Sequence, residues 1–146
     1  MDWKREAVDK LKNYEAKKSS LVRSTEEIKR LEDLLTNIRS ATTDGTPVSG
    51  GGGSGRENAL VNNIALRQEL TRARKDAARW VRLVDSAMDM LDDQERLILD
   101  RFYIHPAKGN VDRLCDELGV ERTRVYERKD NALRHFTLSL YGMTET

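Results

Sequence analysis

Apolar side chains recur with helical periodicity along nearly the whole chain, and the recurrence changes character twice. Ala7, Tyr14, Leu21, Ile28 and Leu35 fall every seven residues, and Leu31 and Ile38 add a companion position in the last two repeats. This predicts a helix capped by Asp2 and running to about Arg39. Further on, Leu66, Leu70, Ala73, Ala77, Trp80, Val84, Ala87 and Leu91 alternate in strict four-three spacing, the seam of a coiled coil. A helix from Glu57 to Leu91 would be about 50 Å long. Between the two patterns, residues 42–58 read TTDGTPVSGGGGSGREN, hold most of the glycines and lack apolar periodicity, which predicts a flexible loop. So long a connection lets the helices fold back as an antiparallel hairpin. Its seam admits Lys17, Ser24 and Asn63, and a lone two-helix hairpin buries little. Homo-oligomerisation through the coiled coil is therefore expected.

After Leu91 the elements shorten. Asp92 and Glu95 form an Asp-x-x-Glu capping box before a short helix carrying Leu97, Ile98, Leu99 and Phe102. His105 to Gly109 reads as a turn, with Asn110 capping a helix over 111–118. Gly119 ends that helix, and a last one runs from near Glu121 to about Tyr141, where Gly142 stops it. Leu114, Cys115, Leu118, Gly119, Val120 and Val125 have helix-turn-helix spacing: Gly119 takes the left-handed turn, Cys115 is small enough for a close crossing, and the aliphatics seal the angle. The expected fold class is all-α. A long antiparallel coiled-coil helical hairpin over residues 1–91 is followed by a helix-turn-helix domain over residues 92–146.

Chemistry concentrates on the last helix. With Val125, Ala132, Leu133 and Phe136 turned inward, Arg122, Thr123, Tyr126 and Glu127 project from its N-terminal turns, the part of a recognition helix that enters a major groove. Arginine can pair with guanine, threonine can touch a thymine methyl, and glutamate can accept from cytosine N4. Arg124, Arg128 and Lys129 flank them and suit phosphates. Arg72, Lys75, Arg79 and Arg82 form a second basic ridge on the preceding long helix. It reads as a DNA contact, as a solvated face, or as paired with Glu26, Glu27, Glu32 and Asp33 across the hairpin.

The order LDDQERLILDRFY, then VDRLCDELGVERTRVYERKDNAL, resembles region 4 of the sigma-70 family over residues 91 to about 136. The tail ALRHFTLSLYG and the long coiled N-terminal part resemble phage late-gene transcriptional regulators of the ArpU and RinA type. That resemblance implies base-reading roles for Arg122, Thr123, Tyr126 and Glu127 and a backbone-facing role for Arg124. It also implies double-stranded DNA and RNA polymerase as partners, in the cytoplasm of a bacterial host. Arg128 stands where region 4 usually has a buried aliphatic and Tyr126 replaces a common arginine, so the promoter sequence read by sigma does not carry over.

Composition narrows the alternatives. Lys and Arg total 26 against 25 Asp and Glu, a net charge of +1, with aromatics only 5% of the 146 residues. Melting DNA needs exposed aromatics to hold unstacked bases, and the first 91 residues offer Trp3, Tyr14 and Trp80, which argues against a complete sigma factor. One cysteine, Cys115, and two histidines give no basis for a disulfide framework, a metal centre or another cofactor. The run GGGGSG lacks the Lys-Ser/Thr of a phosphate loop, and no nucleophile-base set stands out, so an enzyme is not expected. No apolar run is long enough to span a membrane. Residues 92–146 carry nine Lys and Arg against eleven Asp and Glu, a low positive charge for a DNA-binding domain. That balance keeps two further readings open, a protein-interaction module for RNA polymerase or another regulator, and a phage DNA-packaging adaptor.

Overall fold

The computed structural model describes residues 1–43 and 53–144, with the side chains of residues 38–43 and 53–54 excepted. The fold is all-α, with no strand among the described residues. Helix α1 spans Trp3–Thr43 and α2 spans Gly53–Asp89; α3 is Asp93–Leu99, α4 is Asn110–Leu118 and α5 is Arg122–Tyr141. Asp2 caps α1 by accepting from the Arg5 amide at 3.2 Å. Both long helices extend further into the Gly-rich stretch than its composition predicts, since residues 42–43 and 53–58 are helical. Ile38 and the rest of the expected loop, residues 44–52, lie outside the described residues and side chains.

The chain divides into two units, Met1–Lys17 with Arg79–Thr146, and Lys18–Ala78. These units are divided elsewhere than the expected hairpin and helix-turn-helix regions, 1–91 and 92–146. A single core explains why: Ala7 and Leu11 of α1, Val84 and Ala87 of α2, Leu91, Leu99 of α3, and Ala132, Leu133 and Phe136 of α5 are all buried together. The N-terminal turns of the long helix are therefore structural members of the unit that carries the helix-turn-helix. Within it, α1 and α2 run antiparallel, and Tyr14 donates from its hydroxyl to Asp85 Oδ1 at 2.5 Å. Burial and that bond push the Tyr14 phenol up to about 12.

Residues 18–78 form the second unit, again with antiparallel helices. Its seam is polar. Asn63, buried, donates from Nδ2 to the Leu31 carbonyl at 2.9 Å and accepts from Arg67 Nε at 3.0 Å. Arg74 Nε donates to Thr25 Oγ1 at 2.8 Å. Leu31, Leu35 and Ala77 are the buried apolar side chains among the described residues of this unit.

Along α2, one of the two expected seam columns holds, and the other holds at Trp80 and Ala87 but not at Leu66 and Ala73. Leu70, Ala77, Val84 and Leu91 are covered as expected, with Asn63 buried in the same column, while in the neighbouring column Arg67, Val81 and Met88 are at least half-buried and Arg74 is exposed. Leu66 is 42% exposed and Ala73 is exposed too. Arg67, half-buried, and Arg74, exposed, turn polar groups to Asn63 and Thr25 beside the positions where the leucine and alanine were expected. Trp80 is half-buried, with the ammonium groups of Lys10 and Lys17 near 6.0 and 5.8 Å from its ring. Ala87 is buried because the α5 core covers that end of the helix.

Leu11 was no part of the expected heptad, yet it is fully buried in the core shared with α5. Leu11→Ala is expected to cost about 2–5 kcal/mol and to speed amide exchange in α5. Unchanged exchange there in native-state measurements would mean that the last helix folds independently of α1.

Candidate nucleic-acid interface

The helix-turn-helix is built from the capping box upward. Asp92 Oδ1 accepts from the Glu95 amide at 2.8 Å and Glu95 Oε1 accepts from the Asp92 amide at 3.2 Å, which starts α3 cleanly. Arg96, ion-paired with Asp93, donates to the Leu91 carbonyl at 2.5 Å and so satisfies the end of the preceding chain segment. The chain then widens into a π-helical turn, Asp100–Ile104, closed by the His105 amide on the Asp100 carbonyl at 2.7 Å. Periodicity gave no sign of it, because one wide turn shifts the pattern by a single residue.

Asn110 does not cap α4 with its side chain, contrary to expectation. It is buried, and its Nδ2 donates to the Arg101 carbonyl at 2.7 Å and the His105 carbonyl at 3.3 Å. Both acceptors lie in or just after the wide turn, so Asn110 fastens α4 to it. Gly109 precedes the helix at φ 77°. Gly119 closes α4 at φ 66°, the left-handed conformation that residues with a Cβ rarely adopt. Beneath the turn, Ile98, Leu114 and Val125 form a compact buried cluster, packed by Phe102, Val111, Cys115, Leu118 and Val120. The spacing read from the sequence is therefore the spacing of a real inter-helical core. Cys115 is a half-buried packing residue in it.

Helix α5 presents Arg122, Thr123, Tyr126 and Glu127 to solvent, as the inward placement of Val125 requires. They are not bare. Arg122 Nη1 pairs with Asp112 Oδ1 of α4 at 2.6 Å, and Arg124 Nη1 pairs with Glu127 Oε2 at 3.1 Å. Exposed pairs of this kind are worth about 0–1 kcal/mol, so an incoming phosphate or base edge can exchange for them at small cost. Tyr126, 41% exposed, rests edge-on against Phe102 with ring centres 5.8 Å apart.

The three expected phosphate contacts differ in placement. Arg124 is exposed on the same turns. Arg128 is half-buried and donates from Nη1 to Gln94 Oε1 of α3 at 3.2 Å, a polar bridge where an aliphatic would pack. Lys129 is only 21% exposed; its Nζ lies 5.5 Å from the Phe102 ring centre and 5.6 Å from that of Tyr126, and 3.2 Å from Asp130. That geometry makes Lys129 a support under Tyr126, not a projecting cation. Sequence reasoning missed this role, and missed Asp112 as the residue holding Arg122.

The second basic ridge is split by the division of the chain. Arg72 and Lys75 belong to the 18–78 unit, where they line a shallow groove with Ile64, Arg67, Gln68 and Thr71. Arg79 and Arg82 belong to the other unit. All four are exposed, and none is ion-paired to a described residue. Of the acidic residues expected to neutralise them, Glu27 binds Arg30 at 2.6 Å and Glu32 lies 3.9 Å from Arg67.

A family profile described as Protein of unknown function (DUF1492) matches residues 37–137, more than half of the chain. The chain belongs to this family. The DUF1492 match takes in α2, α3, α4 and α5 as far as Thr137, and so contains every residue singled out on the candidate interface. No curated protein and no solved structure matches.

A pH-dependent contact braces the wide turn. His105 lies 2.8 Å from Asp100 Oδ1 through Nδ1 and 3.2 Å from Glu15 Oε1 through Nε2. The Asp100 hydrogen bond, with the nearby charges of Asp100 and Glu15, raises the His105 pKa above its ordinary value. Because the folded value is the higher one, the contact contributes its full stability below about pH 6.5, and that contribution is lost as the pH rises through the raised folded value. Following the His105 ring protons by NMR should give a midpoint above that of a free histidine, and Glu15→Gln should lower it. A midpoint at the unperturbed value would refute the bridge in solution.

Proposed function

We propose that this DUF1492 protein is a sequence-specific DNA-binding transcriptional regulator of phage or prophage genes, acting near a promoter together with RNA polymerase and self-associating through its long helices. The observation that carries the reading is the exposed N-terminal end of α5, with Arg122, Thr123, Tyr126 and Glu127 held outward over the core of Ile98, Leu114 and Val125. A recognition helix needs a fixed angle to its predecessor, supplied by Gly119, and a polar face of donors and acceptors, supplied by those four side chains. The chemistry is docking without catalysis: Arg122 and Glu127 offer complementary hydrogen bonding to base edges, and Arg124 offers charge to the backbone. Contact with RNA polymerase rests on the resemblance to sigma region 4.

A protein-interaction role is favoured by one specific observation. Several cations of this region are already paired with carboxylates, Arg101 on Glu117 at 3.0 Å in addition to the Arg122 and Arg124 pairs, which reduces the positive charge free to meet a phosphate.

Selection of binding sites from random duplex, followed by titration of the full chain, distinguishes the two. Arg122→Ala is expected to cost about 1–3 kcal/mol at the selected site and to relax preference at one base pair. Asp112→Asn, which frees Arg122, should tighten binding. Lys129→Ala should lower thermal stability as well as affinity, because it undermines Tyr126 from below. Absence of binding at about 50 mM salt, where phosphate contacts are strongest, would overturn DNA recognition in favour of the protein-interaction role.

A further inference from the structure

The face of α2 turned away from its seam carries an ordered series of exposed side chains. Glu57, Val61, Ile64, Gln68 and Arg72 follow one another at spacings of four, three, four and four, and so share one side of the helix. The seam residues Asn63, Arg67 and Leu70 occupy a different side, where they meet α1. Val61 is 63% exposed and Ile64 38%. The stripe is apolar at its centre, acidic at its start and basic at its end. Neither Glu57 nor Arg72 is ion-paired to a described residue.

Such an order is self-complementary when reversed. We propose that this stripe pairs antiparallel with the same stripe of a second copy of the chain, about a twofold axis passing between Ile64 and Ala65. In that register Ile64 meets Ala65 of the second copy, Val61 meets Gln68, and Glu57 meets Arg72, so each end matches opposite charges while the centre excludes water. The groove lined by Ile64, Gln68, Thr71 and Arg72 lies where Val61 of the second copy arrives. A parallel arrangement would instead set Glu57 against Glu57 and Arg72 against Arg72. The 18–78 unit gives the reason for such an interface: its buried apolar side chains among the described residues are Leu31, Leu35 and Ala77, a small core for two such helices. From Glu57 to Arg72 the contact is about 23 Å long.

This inference deepens the proposed self-association and rests on it, so the test separates the two. Sedimentation velocity on the full chain up to about 100 μM is expected to show a dimer. Glu57→Arg and Arg72→Glu should each weaken it by roughly tenfold or more, and the double variant E57R/R72E should restore it. Ile64→Asp should give a monomer. Circular dichroism should show unchanged helicity throughout, since all these positions are exposed. A wild-type monomer would overturn self-association altogether. A dimer indifferent to both charge reversals and to Ile64→Asp would leave self-association standing and overturn this face. Single variants that dissociate without rescue by the double variant would overturn the antiparallel register.

Discussion

The whole helix-turn-helix end of the molecule depends on α5 serving two cores at once. Its first turns contribute Val125 to the cluster with Ile98 and Leu114, and its later turns contribute Ala132, Leu133 and Phe136 to a cluster that includes Ala7, Leu11 and Val84. Because α5 is one continuous helix, its rotation about its own axis is fixed twice. The outward direction of Arg122, Thr123, Tyr126 and Glu127 follows from that double constraint, since rotating them would expose apolar side chains at both ends. Thr137 reinforces the arrangement: fully buried, it returns its hydroxyl to the Leu133 carbonyl at 2.7 Å.

The candidate interface is electrically quiet for its size. Asp112 and Glu127 hold Arg122 and Arg124 in place, Gln94 holds Arg128, and the Lys129 ammonium lies beside the rings of Phe102 and Tyr126. Affinity at such a surface depends less on bulk charge than on exchanging one set of partners for another. Under the proposed function, non-specific attraction to a duplex would be correspondingly weak. Shape and donor pattern then contribute a larger fraction of any discrimination between sites.

Much of this was legible in the sequence because local rules and tertiary packing agreed there. The capping box at Asp92, the left-handed glycines 119 and 142, and the inward set Val125, Ala132, Leu133 and Phe136 each needed only a short window of residues. What escaped was set by contacts far apart in sequence. The second seam column of α2 departs from its expected positions at Leu66 and Ala73, where Arg67 and Arg74 make polar contacts across to α1 or along α2 that residue periodicity does not report. Leu11 shares a core with Ala132, Leu133 and Phe136 of α5, a contact that no heptad reports. Asn110 looked like a cap from its position alone, whereas its side chain is drawn inward by the carbonyls of Arg101 and His105. The wide turn at residues 100–104 and the support of Tyr126 by Lys129 likewise depend on geometry that residue identity leaves open.

The division of the chain also partitions its chromophores. Trp3, Tyr14, Trp80, Phe102, Tyr103, Tyr126, Phe136 and Tyr141 all fall in the unit that carries the helix-turn-helix, and residues 18–78 contain no aromatic side chain. Intrinsic fluorescence and near-ultraviolet dichroism therefore report on one unit alone, while the other is spectroscopically dark. A denaturation curve followed through tryptophan emission describes only half of the architecture, and far-ultraviolet signal adds the rest. Any separation between the two curves measures directly how far the polar-seamed segment loosens before the aromatic-rich one.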